Sequence, residues 1–262
     1  MRTILGRKQT STNEDWLYAV RHIEELISPQ EVAEYAARAV ERIRAVATGA
    51  KVAYAWSAGK DSIVLGKLCE RAGVTSCFFG HSDLEFPQYL EWAFANMPNG
   101  CEVLNVHLDL DWLAKHQDML FIDDAFRLNK WYGLLQRSFF TEYYERHKPD
   151  CIIVGHRIID GNTCGKDHVI RKKSGETRFA AIADWPHEAI LGYIHYNGLA
   201  LPPTYDWADG YVFGPTPWPI WGRPKDAADG WRMIQELYPE ILPIAAEKIE
   251  SARIFLEGRA GA

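Results

Sequence analysis

The chain is short of cysteine. It has five in 262 residues, at positions 69, 77, 101, 151 and 164, with none after Cys164 and no two at C-x-x-C spacing. That spacing argues against a paired-cysteine zinc or iron–sulfur site. So few cysteines in a chain of this size also argue against a disulfide framework. Cys77 and Cys151 fall inside apolar runs and read as core residues. No apolar run approaches the ~20 residues that a membrane helix requires. Residues 1–14 are polar and lack the apolar centre of a signal peptide. The expectation is a cytoplasmic protein with no membrane partner. Positive charge is not in excess either: the net charge is −6, which does not suit a protein that coats nucleic acid. There is no internal repeat and no low-complexity tract. Hydrophobic residues are plentiful at 47%, enough to bury a full core, which excludes a wholly disordered chain.

The apolar residues are organised. Residues 1–15 read as a flexible start. From Trp16 to Ala47 the spacing is helical, with Val32, Tyr35, Ala36, Ala39, Val40 and Ile43 three or four apart and Ser28-Pro29 as a helix start. Val52–Trp56 reads as a buried strand, followed by a small-residue loop and a helix over 63–71 that Gly73 ends. Further strands are expected at 76–80, 103–106 and 151–155. Helices are expected at 87–96, with proline in the first turn, and through most of 109–147. Strands alternating with helices over 51–155 predict an α/β fold, a mostly parallel, doubly wound sheet with helices on both faces. Ligands bind such sheets at the carboxyl ends of the strands. That places three loops together: Ser57–Ser62, His81–Pro87 and His156–Lys173. Beyond residue 160, a helix is expected over 184–197 with Asp184 as its cap. Residues 198–224, rich in Pro, Gly and Trp, should be irregular, and two short helices should follow, separated near Pro239. The domain reading is an N-terminal helical segment over 1–48, a nucleotide-binding α/β domain over 49–214 and a C-terminal extension over 215–262.

The sharpest chemistry lies in Ser57-Ala58-Gly59-Lys60-Asp61-Ser62. A buried strand ends, small residues follow and a helix begins. Small residues let backbone N–H groups approach an anion closely, and the new helix adds unpaired N–H groups and the positive end of its dipole. Ser57 and Ser62 carry hydroxyls, Lys60 carries a point charge, and Asp61 suits either a turn cap or a magnesium ion met through water. The Walker spacing G-x-x-x-x-G-K-[ST] is absent. The alternative is a solvated turn that binds nothing.

This loop resembles the S-G-G-x-D-S signature of the PP-loop ATP pyrophosphatases, with Ala58 in place of the first glycine. The resemblance extends to the phosphoadenylyl-sulfate (PAPS) reductase-like branch. After the second strand that branch carries D-T-G-x-x-F-P-E-T. Here Phe86-Pro87 matches, Ser82 stands for the threonine, and His81 and Asp83 depart from the aspartate and glycine. After the fourth strand Gly155-His156-Arg157 is similar to the branch's G-x-R, whose arginine faces the anionic end of the nucleotide. Residues 182–188 and 201–211 are similar to its P-I-x-D-W-x-x-x-D-V and L-P-x-x-P-L-Y-D-x-G-Y segments. The resemblance runs from about Lys51 to Gly214. It implies the adenine nucleotide alpha hydrolase-like three-layer fold. The adenine nucleotide would be held by Ser57, Ala58, Gly59, Lys60, Asp61, Ser62, His81, Ser82, Asp83, Gly155 and Arg157. Lys166 and Arg171 would join from a charged lid that is otherwise a solvated face. Lys60, Asp61 and Arg157 would be catalytic, with ATP and Mg2+ as cofactors and Asp61 on the metal. A homodimer is one further expectation.

The reductases attack sulfur with a cysteine near the carboxyl end, in E-C-G-x-H, because the reaction needs a thiolate. No cysteine follows Cys164 here, and Gly214-Pro215-Thr216-Pro217-Trp218 replaces the G-C-x-x-C element. Three functions stand. The first is an ATP pyrophosphatase that adenylates an acceptor and releases pyrophosphate, with a nucleobase or nucleic acid as one acceptor to be modified. The second is a sulfonucleotide reductase using Cys164, and the third a non-catalytic nucleotide sensor or scaffold. Trp207, Trp218, Trp221 and Trp231 cluster with Tyr205 and Tyr211. They read mainly as packing, with one or two available to stack on a planar substrate.

Overall fold

A computed structural model describes residues 5–6, 10–173 and 175–260. The expected flexible start at 1–4 and 7–9 lies outside the described residues. Order begins sooner than expected. Thr12 and Asp15 form a reciprocal capping box that starts α1 (Asn13–Arg21). The long helical stretch read from 16 to 47 is three pieces: α1, α2 (Ile23–Leu26) and α3 (Pro29–Ala47). Ile27 is extended, and Ser28 caps α3 through a second capping box with Glu31. The Ser28-Pro29 start read from the sequence marks the beginning of α3, while the break between α1 and α2 at His22 carried no such signal.

Among the described residues six strands form one sheet. They are β1 (Val52–Trp56), β2 (Cys77–His81), β3 (Glu102–Asn105), β4 (Cys151–Val154), β5 (Val169–Arg171) and β6 (Thr177–Ala180). The order is β3-β2-β1-β4-β6-β5. β1 pairs in parallel with β2 and β4, and β4 with β6. β5 runs antiparallel to β6. Between β1 and β2 lies α4 (Lys60–Ala72), which Gly73 ends in a left-handed conformation at φ 88°. Between β2 and β3 lies α5 (Pro87–Asn96), with the expected bounds. α6 (Leu110–Lys115) and α7 (Ala125–His147) lead to β4.

Helices cover both faces of the sheet. On one face Gly66 of α4 sits so close to Trp56 that a Cβ there would lie 3.4 Å from the indole. On the other, Phe78 stacks on Tyr143 of α7 at 4.2 Å. Phe78 and Ile152 are about fully buried, and such side chains contribute about 1.5–3 kcal/mol each. This is the expected doubly wound α/β sandwich.

Past β4 the sequence reading needs correction. Residues 169–180 were expected in a lid and loop, yet they make the β5–β6 hairpin at the sheet edge. Three- and four-residue strands are too short to show an alternation. The helix expected over 184–197 is α8 (His187–Tyr196), with Pro186 at its cap. Asp184 does not cap it; its carboxylate takes both terminal nitrogens of Arg42, at 3.0 and 2.9 Å. The irregular stretch holds α9 (Gly210–Phe213) and short 3-10 turns. The expected final pair of helices is three: α10 (Ala227–Leu237), α11 (Ile241–Ala246) and α12 (Glu250–Ala260). No helix of the described residues is long and apolar enough to cross a membrane.

The chain forms two compact units. The first comprises residues 1–79, 92–104 and 142–215, and holds most of the sheet. The second comprises residues 80–91, 105–141 and 216–262. Two of the tryptophans read as packing, Trp218 and Trp231, pack within the second unit. Trp218 and Trp231 lie 5.9 Å apart, Phe121 meets Trp231 edge-on at 5.0 Å, and the Trp231 indole donates to Ser251 Oγ at 3.0 Å.

Candidate functional site

The loop after β1 is built as its residues require. Ala58 is fully buried at φ 50°, in the left-handed region that glycine adopts without cost. The alanine therefore occupies the position where the PP-loop signature has its first glycine. Gly59 is extended and precedes the first turn of α4; a Cβ there would lie 3.3 Å from Pro215. Ser62 acts as a staple. Its hydroxyl donates to the Gly59 carbonyl at 2.9 Å and accepts from the Ser57 amide at 3.0 Å, with Ser57 Oγ 3.2 Å away. The Lys60 amide, first in the helix, donates to the buried hydroxyl of Tyr205 at 2.9 Å. The amides of Ser57 and Lys60 thus already have side-chain acceptors in this structure.

The charged groups converge beside it. Lys60 Nζ is 2.7 Å from Asp61 Oδ2, and Arg157 Nε is 2.9 Å from Asp61 Oδ1. The second contact is an ion pair without hydrogen-bond alignment. A further Arg157 nitrogen reaches Asp160 Oδ2 at 3.0 Å and donates to His187 Nδ1 at 3.0 Å. Lys60 is 3% exposed and Arg157 fully buried. Burial, with Arg157 and Lys60 nearby, pushes the His187 imidazole down to about 3. His187 is therefore a neutral acceptor for Arg157 at physiological pH. The cluster holds two cations and two carboxylates and is self-neutralised.

Sequence reading brought Lys60, Asp61, Gly155 and Arg157 together, and the structure does so. A Cβ on Gly155 would sit 3.5 Å from the Asp61 backbone, so the β4 loop lies against the helix start. It missed Asp160, His187, Tyr205 and Trp16. The fully buried Trp16 ring lies 5.2 Å from Lys60 Nζ and meets His187 edge-on at 4.5 Å. Only the spacing from Arg157 to Asp160 and the position of His187 after Trp185-Pro186 signalled any of these.

Lys166 and Arg171 are exposed, before and on the edge strand β5. His81, Ser82 and Asp83 belong to the second unit. The Ser82 hydroxyl donates to Glu85 at 3.1 Å, and His81 Nδ1 lies 3.1 Å from the Ser82 carbonyl. Asp83 accepts from Asn105 Nδ2. Burial lifts the Glu85 carboxyl to about 8, against the opposing bonds from Ser82. Cys164 is 4% exposed, and burial and Asp160 raise its thiol, which does not favour a thiolate. For a resident magnesium the donors do not fit. Both Asp61 oxygens face cations, and the described residues hold no cluster of three metal-binding groups.

A strand, a small-residue loop and a helix N-terminus carrying paired cations, at the carboxyl edge of a doubly wound sheet, define a PP-loop nucleotide-binding protein. Within that class the chain belongs to the phosphoadenosine phosphosulfate reductase domain family, whose model matches residues 51–212. Its members bind adenine nucleotides. No curated protein matches the chain. Among solved structures it is similar to a PAPS reductase from Candida auris in a phosphate complex. Identity there is 16%, over 75% of this chain and 92% of that one, with a TM-score of 0.48. It is also similar to an NH3-dependent NAD synthetase from Campylobacter jejuni in complex with nitrate. Identity there is 12%, over 86% and 96% of the two chains, with a TM-score of 0.46.

Proposed function

We propose that the chain is an ATP pyrophosphatase that adenylates an acceptor. The observation that carries this is the pairing of Lys60 and Arg157 on Asp61 at the start of α4. Two buried cations held by one carboxylate suit a leaving pyrophosphate. A substrate oxygen attacks the α-phosphorus, pyrophosphate departs, and the acceptor becomes an adenylate. Lys60, Arg157 and the loop amides stabilise charge growing on the leaving group. Magnesium arrives with the nucleotide as part of the substrate. Lys166 and Arg171, exposed beside and on β5, are candidates to meet the outer phosphates, and the resemblance assigns His81, Ser82 and Asp83 to the nucleoside. A nucleobase within a nucleic acid is one acceptor class.

The family match favours a second reading, reduction of a sulfonucleotide, which in this chain leaves Cys164 as the nucleophile. One comparison separates the two. The purified protein is given MgATP with candidate acceptors, and separately PAPS with a thiol reductant. Pyrophosphate and AMP or an adenylate from the first support adenylation. Sulfite from the second, lost in Cys164→Ser, replaces it with reduction. Tight nucleotide binding with neither product identifies a sensor.

A further inference from the structure

The far end of the sheet carries a second pair of reactive side chains. The His81 carbonyl accepts from the Val106 amide at 3.0 Å. In a parallel ladder a carbonyl accepts from the amide one residue past its partner, so His81 is level with Asn105. Four residues back along each strand, Cys77 is level with Cys101. β2 and β3 are neighbours in the sheet, and level residues on neighbouring strands point to the same face, about 4.8 Å apart. That separation lies within the ~4.4–6.8 Å between Cα atoms that a disulfide spans. Tyr54 is level with Cys77 on β1, so Tyr54, Cys77 and Cys101 form a row across three strands.

All five cysteines are free thiols; Cys77 is buried and Cys101 half-buried. We propose that Cys77 and Cys101 are a redox-active dithiol, oxidised to a disulfide by hydroperoxides. One thiolate attacks the O–O bond of hydrogen peroxide, giving a sulfenic acid and one water. The second thiol attacks that sulfur, forming the S–S bond and releasing the second water. Two protons and two electrons pass from the thiols to the peroxide. Hydrogen bonds from the Cys101 thiol, and less strongly from Tyr54, hold the Cys77 thiol below its usual range against the effect of burial, while the Cys101 thiol is raised. That split suits one nucleophilic and one resolving sulfur. Tyr54 also lines an open cavity of about 470 Å³ with Thr75, Trp92 and Pro98, which brings solvent to the neighbour of Cys77. Cys69 on α4 is buried beside Cys77 and is the competing partner.

The test is peptide mapping of the full reduced chain after hydrogen peroxide, with iodoacetamide trapping of remaining thiols. The expected result is a Cys77–Cys101 linked peptide two hydrogens lighter than its parts, reversed by dithiothreitol and absent in Cys101→Ser. The map of the unmodified chain stands whether or not that variant folds. Both thiols still alkylated after peroxide, sulfinic or sulfonic acid at Cys101 without a link, or a link to Cys69 would each overturn the proposal. None of these readouts depends on nucleotide chemistry.

Discussion

The self-neutralised cluster around Asp61 makes a prediction that separates two roles for this carboxylate. Either it is the resting counter-ion of Lys60 and Arg157, which an anion displaces, or it binds the anion's metal. Replacing Asp61 by asparagine keeps the shape and removes the charge. Breaking a fully buried pair costs about 3–5 kcal/mol. The Asp61 side chain is 24% exposed, and Asp160 still serves Arg157, so a loss of about 2–3 kcal/mol is expected. For a unit of this size that lowers Tm by about 5–10 °C. The same change leaves two cations facing one carboxylate. A unit charge 4 Å away at an effective dielectric of 20 is worth about 4 kcal/mol. Recovering only a third of it tightens anion binding about tenfold, or about 1.4 kcal/mol. Thermal unfolding with and without metal-free pyrophosphate reads both effects. The variant should start lower, and saturating pyrophosphate should raise its Tm by about 3–5 °C more than in the parent. A smaller pyrophosphate shift in Asp61→Asn than in the parent would refute displacement.

Other consequences follow from neighbouring groups. Tyr205→Phe removes the hydroxyl that accepts from the Lys60 amide; chemical denaturation should show a loss of about 1–2 kcal/mol, with weaker ATP binding by calorimetry. Gly210→Ala places a Cβ 2.3 Å from the Thr204 carbonyl and 2.7 Å from that of Tyr205, so the turn holding Tyr205 must shift. Stability should fall by about 1–3 kcal/mol, and nucleotide binding should fall with it. Stability also depends on pH with two signs. His187 and His156 are neutral in the fold down to about 3 and about 4, chiefly through burial. The unfolded chain binds their protons first, so the stability they give is complete above about 6.5 and is lost as pH falls. Glu85 stays protonated in the fold up to about 8, so its contribution is complete below its ordinary range and is lost as pH rises to 8. The slope is about 1.4 kcal/mol per pH unit, and Glu85→Gln should flatten that limb in denaturant titrations.

The sequence is legible where one physical signal dominates. The strand and loop at 52–62 were readable because apolar run, small residues and a helix start are all local. Pro87 and Gly73 marked helix ends because each has a single backbone consequence. The short β4 run places the following residues at the carboxyl edge, and the resemblance to G-x-R singled out Arg157 among them. What was missed depends on contacts between distant segments. Nothing local reveals that Trp16 lies against Lys60, or that the Tyr205 hydroxyl meets an amide 145 residues away. Asp184 looked like a cap because aspartate before Pro186 is the usual pattern. Arg42 on α3 offers it two aligned donors instead, and a bidentate charged pair outweighs one amide. Ala58 shows the converse: the departure from glycine was visible in the sequence, and the φ of 50° shows that the departure kept the backbone. A residue swap at a signature position thus keeps the backbone of the loop, and the charge cluster beside it is assembled from α4, the turn after β4 and α8.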